Sequence, residues 1–271
     1  HRNKIGEVGY NLKGIATVTR QKYLTASEKG PWANSYDRWR NDNLTNRYQG
    51  VQFGYTSAGR YTSWNDIWNY YGFKERDVLP GDYKYEDWNG DGEINGQDEH
   101  PFAFDQTPWL QFSLNAGLQW KNFDFNMLLQ GSALGSMEYK EPLHEIWGKN
   151  GGGALTQFLD RWHPVDPKAD PYDPSTVWTS GHYAYTGRWA KNNSAFNRVS
   201  TAYLRLKSIE LGYTFPKLKQ IPNASLRVYA NAYNLLTFTG VKFVDPEHPD
   251  DDLGRMYPLN KTYTLGVSLS F

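Results

Sequence analysis

The sequence predicts an all-β chain of about six antiparallel strands that cross a membrane as part of a larger β-barrel. Three observations predict it. Apolar and polar residues alternate with period two over long stretches. Those stretches exceed the ~5–6 residues usual in soluble sheets and reach the ~9–11 needed to cross a bilayer at a tilt. The connections between them are short and long in strict alternation, as in outer-membrane barrels.

The strands follow in order. At about 5–25, Val8, Tyr10, Leu12, Ala16 and Val18 alternate with Asn11, Lys13, Thr17 and Thr19. At 108–120, Leu110, Phe112, Leu114, Ala116, Leu118 and Trp120 face one way; Gln111, Ser113, Asn115, Gly117 and Gln119 face the other. Lys121-Asn122 then makes a two-residue turn into 123–135, where Phe123, Phe125, Met127 and Leu129 continue the apolar face. At 200–215 the phase differs over Tyr203–Lys207, which predicts a bulge before Ile209, Leu211, Tyr213 and Phe215. At 225–241, Leu226, Val228, Ala230 and Ala232 alternate with Arg227, Tyr229, Asn231 and Tyr233. At 256–271, Tyr263, Leu265, Val267, Leu269 and Phe271 alternate with threonine, glycine and serine. Leu110, Phe112, Leu114, Leu118, Phe125, Met127, Leu265, Val267 and Leu269 are the expected lipid-facing set.

Composition agrees. Lys+Arg and Asp+Glu number 29 each, and this neutral balance argues against a nucleic-acid partner. No apolar run approaches the ~18 residues of a membrane helix. Cysteine is absent, which removes disulfides, thiolate metal sites and thiol catalysis. Aromatic residues make up 16% of a chain that is only 39% hydrophobic. Such a balance suits membrane interfaces, sugars and partner surfaces. The same alternation also fits a calcium-stabilised soluble carbohydrate-binding β-sandwich. Against that alternative stand the long strands and a polar face carrying Gln, Asn, Lys, Arg and Asp.

Thr264-x-Gly266-x-x-Leu269-x-Phe271 matches the terminal signal of bacterial outer-membrane proteins. With Phe271 at the periplasmic side, counting back places the connections of about 26–107, 136–199 and 242–255 outside the cell. Six strands are too few for a bacterial single-chain barrel, which starts at eight, and open edges in lipid leave costly unpaired backbone groups. The chain, which opens on His1 with neither a start Met nor a secretion signal, is therefore expected to be completed by further strands.

Asp87-Trp88-Asn89-Gly90-Asp91-Gly92-Glu93-Ile94-Asn95-Gly96-Gln97-Asp98 reproduces a calcium loop. Side chains of Asp87, Asn89 and Asp91, at positions 1, 3 and 5, converge as the chain coils. Gly92 permits the turn, the Glu93 carbonyl adds an oxygen, and Asp98 closes the sphere. No Lys or Arg lies between Glu86 and Glu99. The expected cofactor is a structural Ca2+.

Other sites are not expected. His1, His100, His144, His163, His182 and His248 read as isolated surface residues. Asp245, Glu247, Asp250, Asp251 and Asp252 read as a solvated acidic loop. Gly151-Gly152-Gly153, with Trp147, Trp162, Trp178 and Trp189, suggests a mobile aromatic-rich connection that stacks on sugars or packs on a partner. No nucleophile elbow, phosphate loop or placed carboxylate pair is present, so no enzyme is expected.

Several ordered stretches resemble a known family: Pro80–Ile94; Asn122–Phe125 with Leu129–Ser132; Tyr203–Lys207 leading to Leu211–Tyr213; Asn234–Leu236; and Asp245–Glu247. Together they resemble the C-terminal part of the SusC/RagA family of TonB-linked outer-membrane transporters, over nearly the whole chain. The resemblance implies a barrel of about 22 strands with an N-terminal plug, driven by the TonB complex through parts not in this chain. It also implies a SusD-like surface lipoprotein as partner, and glycans or peptides as substrate.

Overall fold

The computed structural model describes residues 1–26, 44–70, 78–140, 143–144, 146, 154–186, 193–216, 224–248 and 256–270. The expected features at Phe271, Trp147, Trp189, Gly151–Gly153 and Asp250–Asp252 lie outside them.

One antiparallel sheet dominates. It opens with β1 (Arg2–Ile5) and β2 (Val8–Val18). The first long connection carries β3 (Val51–Gly54), β4 (Ser57–Arg60), the short helix α1 (Trp64–Asn69), β5 (Tyr83–Tyr85) and β6 (His100–Phe104). The hairpin β7 (Leu110–Trp120) and β8 (Phe123–Ala133) follows. The second long connection carries β9 (Ser136–Glu138), β10 (His163–Pro164), β11 (Trp178–Thr179) and β12 (Arg198–Ser200). The chain closes with β13 (Tyr203–Phe215), β14 (Ser225–Thr239) and β15 (Thr262–Ser270). The large sheet has seven strands in the order β1-β2-β7-β8-β13-β14-β15.

The sequence expectation of six strands changes at the first of them. The expected strand at 5–25 is β2, Val8–Val18, and a further short strand, β1, precedes it and pairs with it as a hairpin. Gly6, at φ +60, turns the chain so that Ile5 pairs with Val8 and Arg2 with Asn11. Glycine takes this left-handed conformation without a Cβ clash. The parity holds, because the added turn falls at the same end as Lys121-Asn122 and the Phe215–Leu226 pair of β13 and β14. All long connections therefore leave from the other end. The final strand also starts later than expected, at Thr262.

The register makes two faces. Tyr10, Leu118, Phe125, Leu211, Ala230 and Leu265 stand in one row across six strands. All nine residues of the expected lipid-facing set lie on this face. It is uncovered: Leu211 is 53% exposed, Val267 67% and Leu265 85%. A sandwich would bury this face under a second sheet, so the soluble alternative is not supported. Towards the short turns, Trp120, Phe123, Tyr213 and Phe215 make a chain of ring contacts at 6.1, 4.7 and 4.8 Å. Aromatic belts of this kind mark the headgroup level of membrane barrels. The bulge expected near Tyr203–Lys207 appears as a register shift between Leu206 and Ser208 against both neighbours.

Candidate functional site

The polar face carries two clusters of charge. Near the short turns, Arg227 of β14 reaches across β13 to Asp124 of β8. Its Nε donates to Asp124 at 3.0 Å, and a second nitrogen meets both Asp124 and Glu210, the latter at 2.6 Å. Gly212 makes the room, since a Cβ there would come within 2.5 Å of the guanidinium. Near the long connections, Arg205 is fully buried. It donates to Asp245 and Glu247 at 2.5 Å each and to the Thr237 hydroxyl at 3.0 Å. Asp245 and Glu247, expected as a solvated acidic loop, thus clamp the last connection onto the sheet. Their partner lies about forty residues away in sequence, where no local pattern reveals it. A cleft of about 680 Å³ opens beside this clamp, lined by Gln111, Gln130, Ser132 and Tyr203.

The long connections fold together as a cap. Strand β3 pairs with β6, β4 with β5, β9 with β12, and β10 with β11. A core of Tyr55, Tyr83 and Tyr85 from the first connection encloses Ala184 from the second, with Ile94 and Phe196 packed against it. Phe196 meets Tyr83 and Tyr85 edge-on at 4.8 and 5.7 Å. Buried Asp82 accepts from the Leu79 amide at 2.9 Å and from the Thr186 hydroxyl at 3.0 Å. Arg60 donates to the carbonyls of Gly81 and His182. A second core gathers Ile146, Phe158 and Tyr183; burial pushes the Tyr183 phenol up to about 12. The third connection joins through the Tyr139 hydroxyl, which donates to the Lys242 carbonyl at 3.0 Å. The described part of 136–199, expected to be mobile, is therefore packed against the first connection.

The histidines also differ from expectation. His100, His144 and His248 are buried. His100 stacks on Trp88 at 3.7 Å and bonds the Asp98 carbonyl at 2.9 Å. Burial holds the His144 imidazole down at about 4.

The acidic loop is coiled by its own side chains. Asp87 accepts from the amides of Gly90 and Gly92 at 2.7 and 2.8 Å. Asn89 accepts from the Asp91 amide at 3.0 Å, and Asp91 from the Glu93 amide at 2.8 Å. Gly90 and Gly92 take φ +74 and +81, which puts the expected turn where the spacing placed it. Asn95 caps a single helical turn, Gly96–Asp98, and fully buried Asp98 completes the capping box. Its oxygens accept from Trp88 at 2.9 Å and Asn95 at 2.7 Å. Asp98 Oδ1 also accepts from the Asn89 amide at 3.4 Å, and Asp91 accepts from the Asn89 side chain at 2.8 Å, so these oxygens are turned to the loop's own N–H groups. Counting carboxylates and imidazoles alone, no group of three or more gathers among the described residues.

Known proteins resemble this chain in sequence and in fold. A scan against protein-family profiles finds no match. The TonB-dependent receptor P3 of Formosa agariphila is 28% identical over 211 residues, covering 72% of this chain and 19% of that protein. The TonB-dependent receptor SusC of Bacteroides thetaiotaomicron is 26% identical over 210 residues, covering 76% of this chain and 19% of that protein. The chain thus spans about a fifth of these relatives' length. Among solved structures, the RagAB peptide importer in its closed-closed state superposes with TM-score 0.60 at 18% identity, over 99% of this chain and 28% of that one. The RagAB peptide transporter gives 0.58 over the same shares. These names are receptors and transporters, in line with the expectation of no enzyme. In sequence and in fold, the chain resembles the C-terminal part of a SusC/RagA-type TonB-dependent outer-membrane receptor.

Proposed function

We propose that this chain forms the C-terminal strands of a TonB-dependent outer-membrane transporter importing oligosaccharides, other glycans or peptides. The observation that carries the reading is the two-faced sheet, apolar and uncovered outside, hydrogen-bonded and charged inside. Its edge strands β1 and β15 each have one neighbour among the described residues. Further strands of the same transporter close the barrel around a plug, and the TonB complex acts through parts outside this chain. The cap faces the extracellular side and the short turns face the periplasm. The polypeptide should partition into the outer membrane, require detergent for extraction, and support nutrient uptake only when TonB is present. Extraction by salt alone would overturn the reading.

A SusD-like surface lipoprotein seats on the cap, in an interface above the ~2,000 Å² of standard complexes. Connections 26–107 and 136–199 supply the contact. Deleting 140–195 would also remove part of the core around Tyr55, so exposed substitutions are the cleaner probe. Leu159→Glu with Val177→Glu, at positions 83% and 68% exposed, should lower co-purification of the lipoprotein. An undiminished complex would show that this surface is not the main contact.

Loop 87–98 holds a structural calcium ion through Asp87, Asn89, Asp91, Asp98 and the Glu93 carbonyl, with oxygens at about 2.3–2.6 Å. The coil of amide-bonded side chains supports this. Metal analysis should find one ion that Asp87→Ala with Asp91→Ala removes, and chelation should expose the loop to protease. Retention of the ion in that variant would place it elsewhere.

A further inference from the structure

The cap contains a second cleft, lined by none of the residues of the cleft beside the Arg205 clamp. Helix α1 sets Trp64 and Trp68 on one face, four residues apart, with ring centroids 6.0 Å from each other. Tyr172, from the second connection, continues the row at 6.5 Å from Trp64. Trp68 and Tyr172 are 65% and 57% exposed. Trp64, the middle ring of the row, also lines a cleft of about 250 Å³, with Trp162 and Trp178 and hydroxyl residues including Thr62, Ser63 and Thr176. No lining residue is charged. The indole N–H groups of Trp64 and Trp178 are buried and lack a hydrogen-bond partner among the described residues. Buried donors are ordinarily satisfied, so two unmet ones in a single cleft call for an acceptor.

Both walls are held in place. Ser63 caps α1 by accepting from the Asp66 amide at 3.2 Å, and Asp66 accepts from the Thr62 amide at 3.1 Å and pairs with Lys84 at 2.7 Å. Opposite, Trp162 packs on Gly81, where a Cβ would come within 2.3 Å of the ring. Trp178 is fixed by its pairing with Pro164.

We infer that this cleft binds a neutral saccharide on the cell surface. The aromatic row stacks against the C–H face of a pyranose. The Ser63 hydroxyl, which accepts from the Asp66 amide, keeps its donor, and the Thr176 hydroxyl, which donates to the Asp170 carbonyl at 2.5 Å, keeps its acceptor, so the pair can meet sugar hydroxyls of either sense, while the two unmet indole N–H groups need an oxygen acceptor. An acidic glycan would find no cation in the lining. The inference deepens the transporter reading by naming a ligand class, and rests on it for the cleft's placement outside the cell.

The test uses the full-length transporter in detergent, titrated with neutral α-glucan, β-glucan, mannan and galactan oligosaccharides and followed by tryptophan fluorescence and calorimetry. At least one of the four should bind. Trp68→Ala with Tyr172→Ala should weaken it roughly tenfold or more. Trp64→Phe, which keeps a ring and removes the donor, should weaken it less. Heat-modifiable mobility should stay at the parent level in both. The inference is overturned if none of the four binds, if the variants bind as the parent does, or if only acidic oligosaccharides or peptides bind. Those outcomes alongside intact TonB-dependent uptake would remove the cleft and leave the transporter; loss of membrane partitioning would remove the transporter.

Discussion

Replacing Asp245 and Glu247 together by alanine should release the last long connection and destabilise the protein by about 3 kcal/mol. The reason is asymmetry. The Arg205 side chain is 1% exposed, whereas Asp245 and Glu247 are 23% and 44% exposed. Removing the carboxylates leaves a buried guanidinium with the Thr237 hydroxyl and the Tyr203 ring, 5.0 Å away, and no counter-charge among these partners. Breaking a buried pair this way typically costs ~3–5 kcal/mol, and the exposure of Glu247 puts this case at the low end. Urea unfolding in lipid should show the loss, and protease should cut within 240–261. Adding Arg205→Leu to the double variant should restore part of the stability, because no uncompensated charge then remains. If the double variant unfolds at the parent midpoint, the clamp does not hold the connection.

Arginine at Leu114 or Val267 should cost ~2–4 kcal/mol if these positions lie near the bilayer midplane. Both side chains stand on the uncovered face, Leu114 39% and Val267 67% exposed. Their neighbours supply the control. Ser268 alternates to the polar face, so Ser268→Arg should cost about 0.5 kcal/mol or less. The difference between adjacent positions measures the membrane directly, since a sheet with water on both faces would tolerate the two changes equally. Equal costs at Val267 and Ser268 would remove lipid from the account of this face.

Much of the sheet was legible because its physics is local. Leu110 to Leu129 repeats with period two through a two-residue turn, and this pattern alone gives strand, face and register. The bulge announced itself as a break of phase at Tyr203–Lys207. The hairpin of β1 did not, because four residues before Gly6 are too few to show a period. The Arg205 clamp was illegible for another reason. Asp245 and Glu247 carry the same local signature whether solvated or paired, and only the fold brings the guanidinium to them. The cap was hidden similarly: Tyr55, Tyr83 and Ala184 have no shared spacing, and aromatic residues in a connection look alike whether they face water or each other. In the acidic loop the spacing of Asp87, Asn89 and Asp91 gave the coil. The capping role of Asp98 depends on the turn at Gly96, which the calcium pattern does not describe.

The shared core of the cap carries a consequence for the order of assembly. Tyr55 and Tyr83 lie before β7, Ala184 and Phe196 lie between β8 and β13, and Lys242 lies after β14. The core of Ile146, Phe158 and Tyr183 lies within the second connection, but the core around Tyr55 needs residues from two connections at once. Contacts across such sequence separations form slowly, because long loops must close before they are rewarded. The cap should therefore appear last, once the three hairpin pairs stand side by side and all their connections have crossed to one side. A pulse of protease from that side during biogenesis would find long unfolded segments first and a resistant cap only at the end. The cap would then act as a timer, ripening into a binding surface only when the wall beneath it is complete.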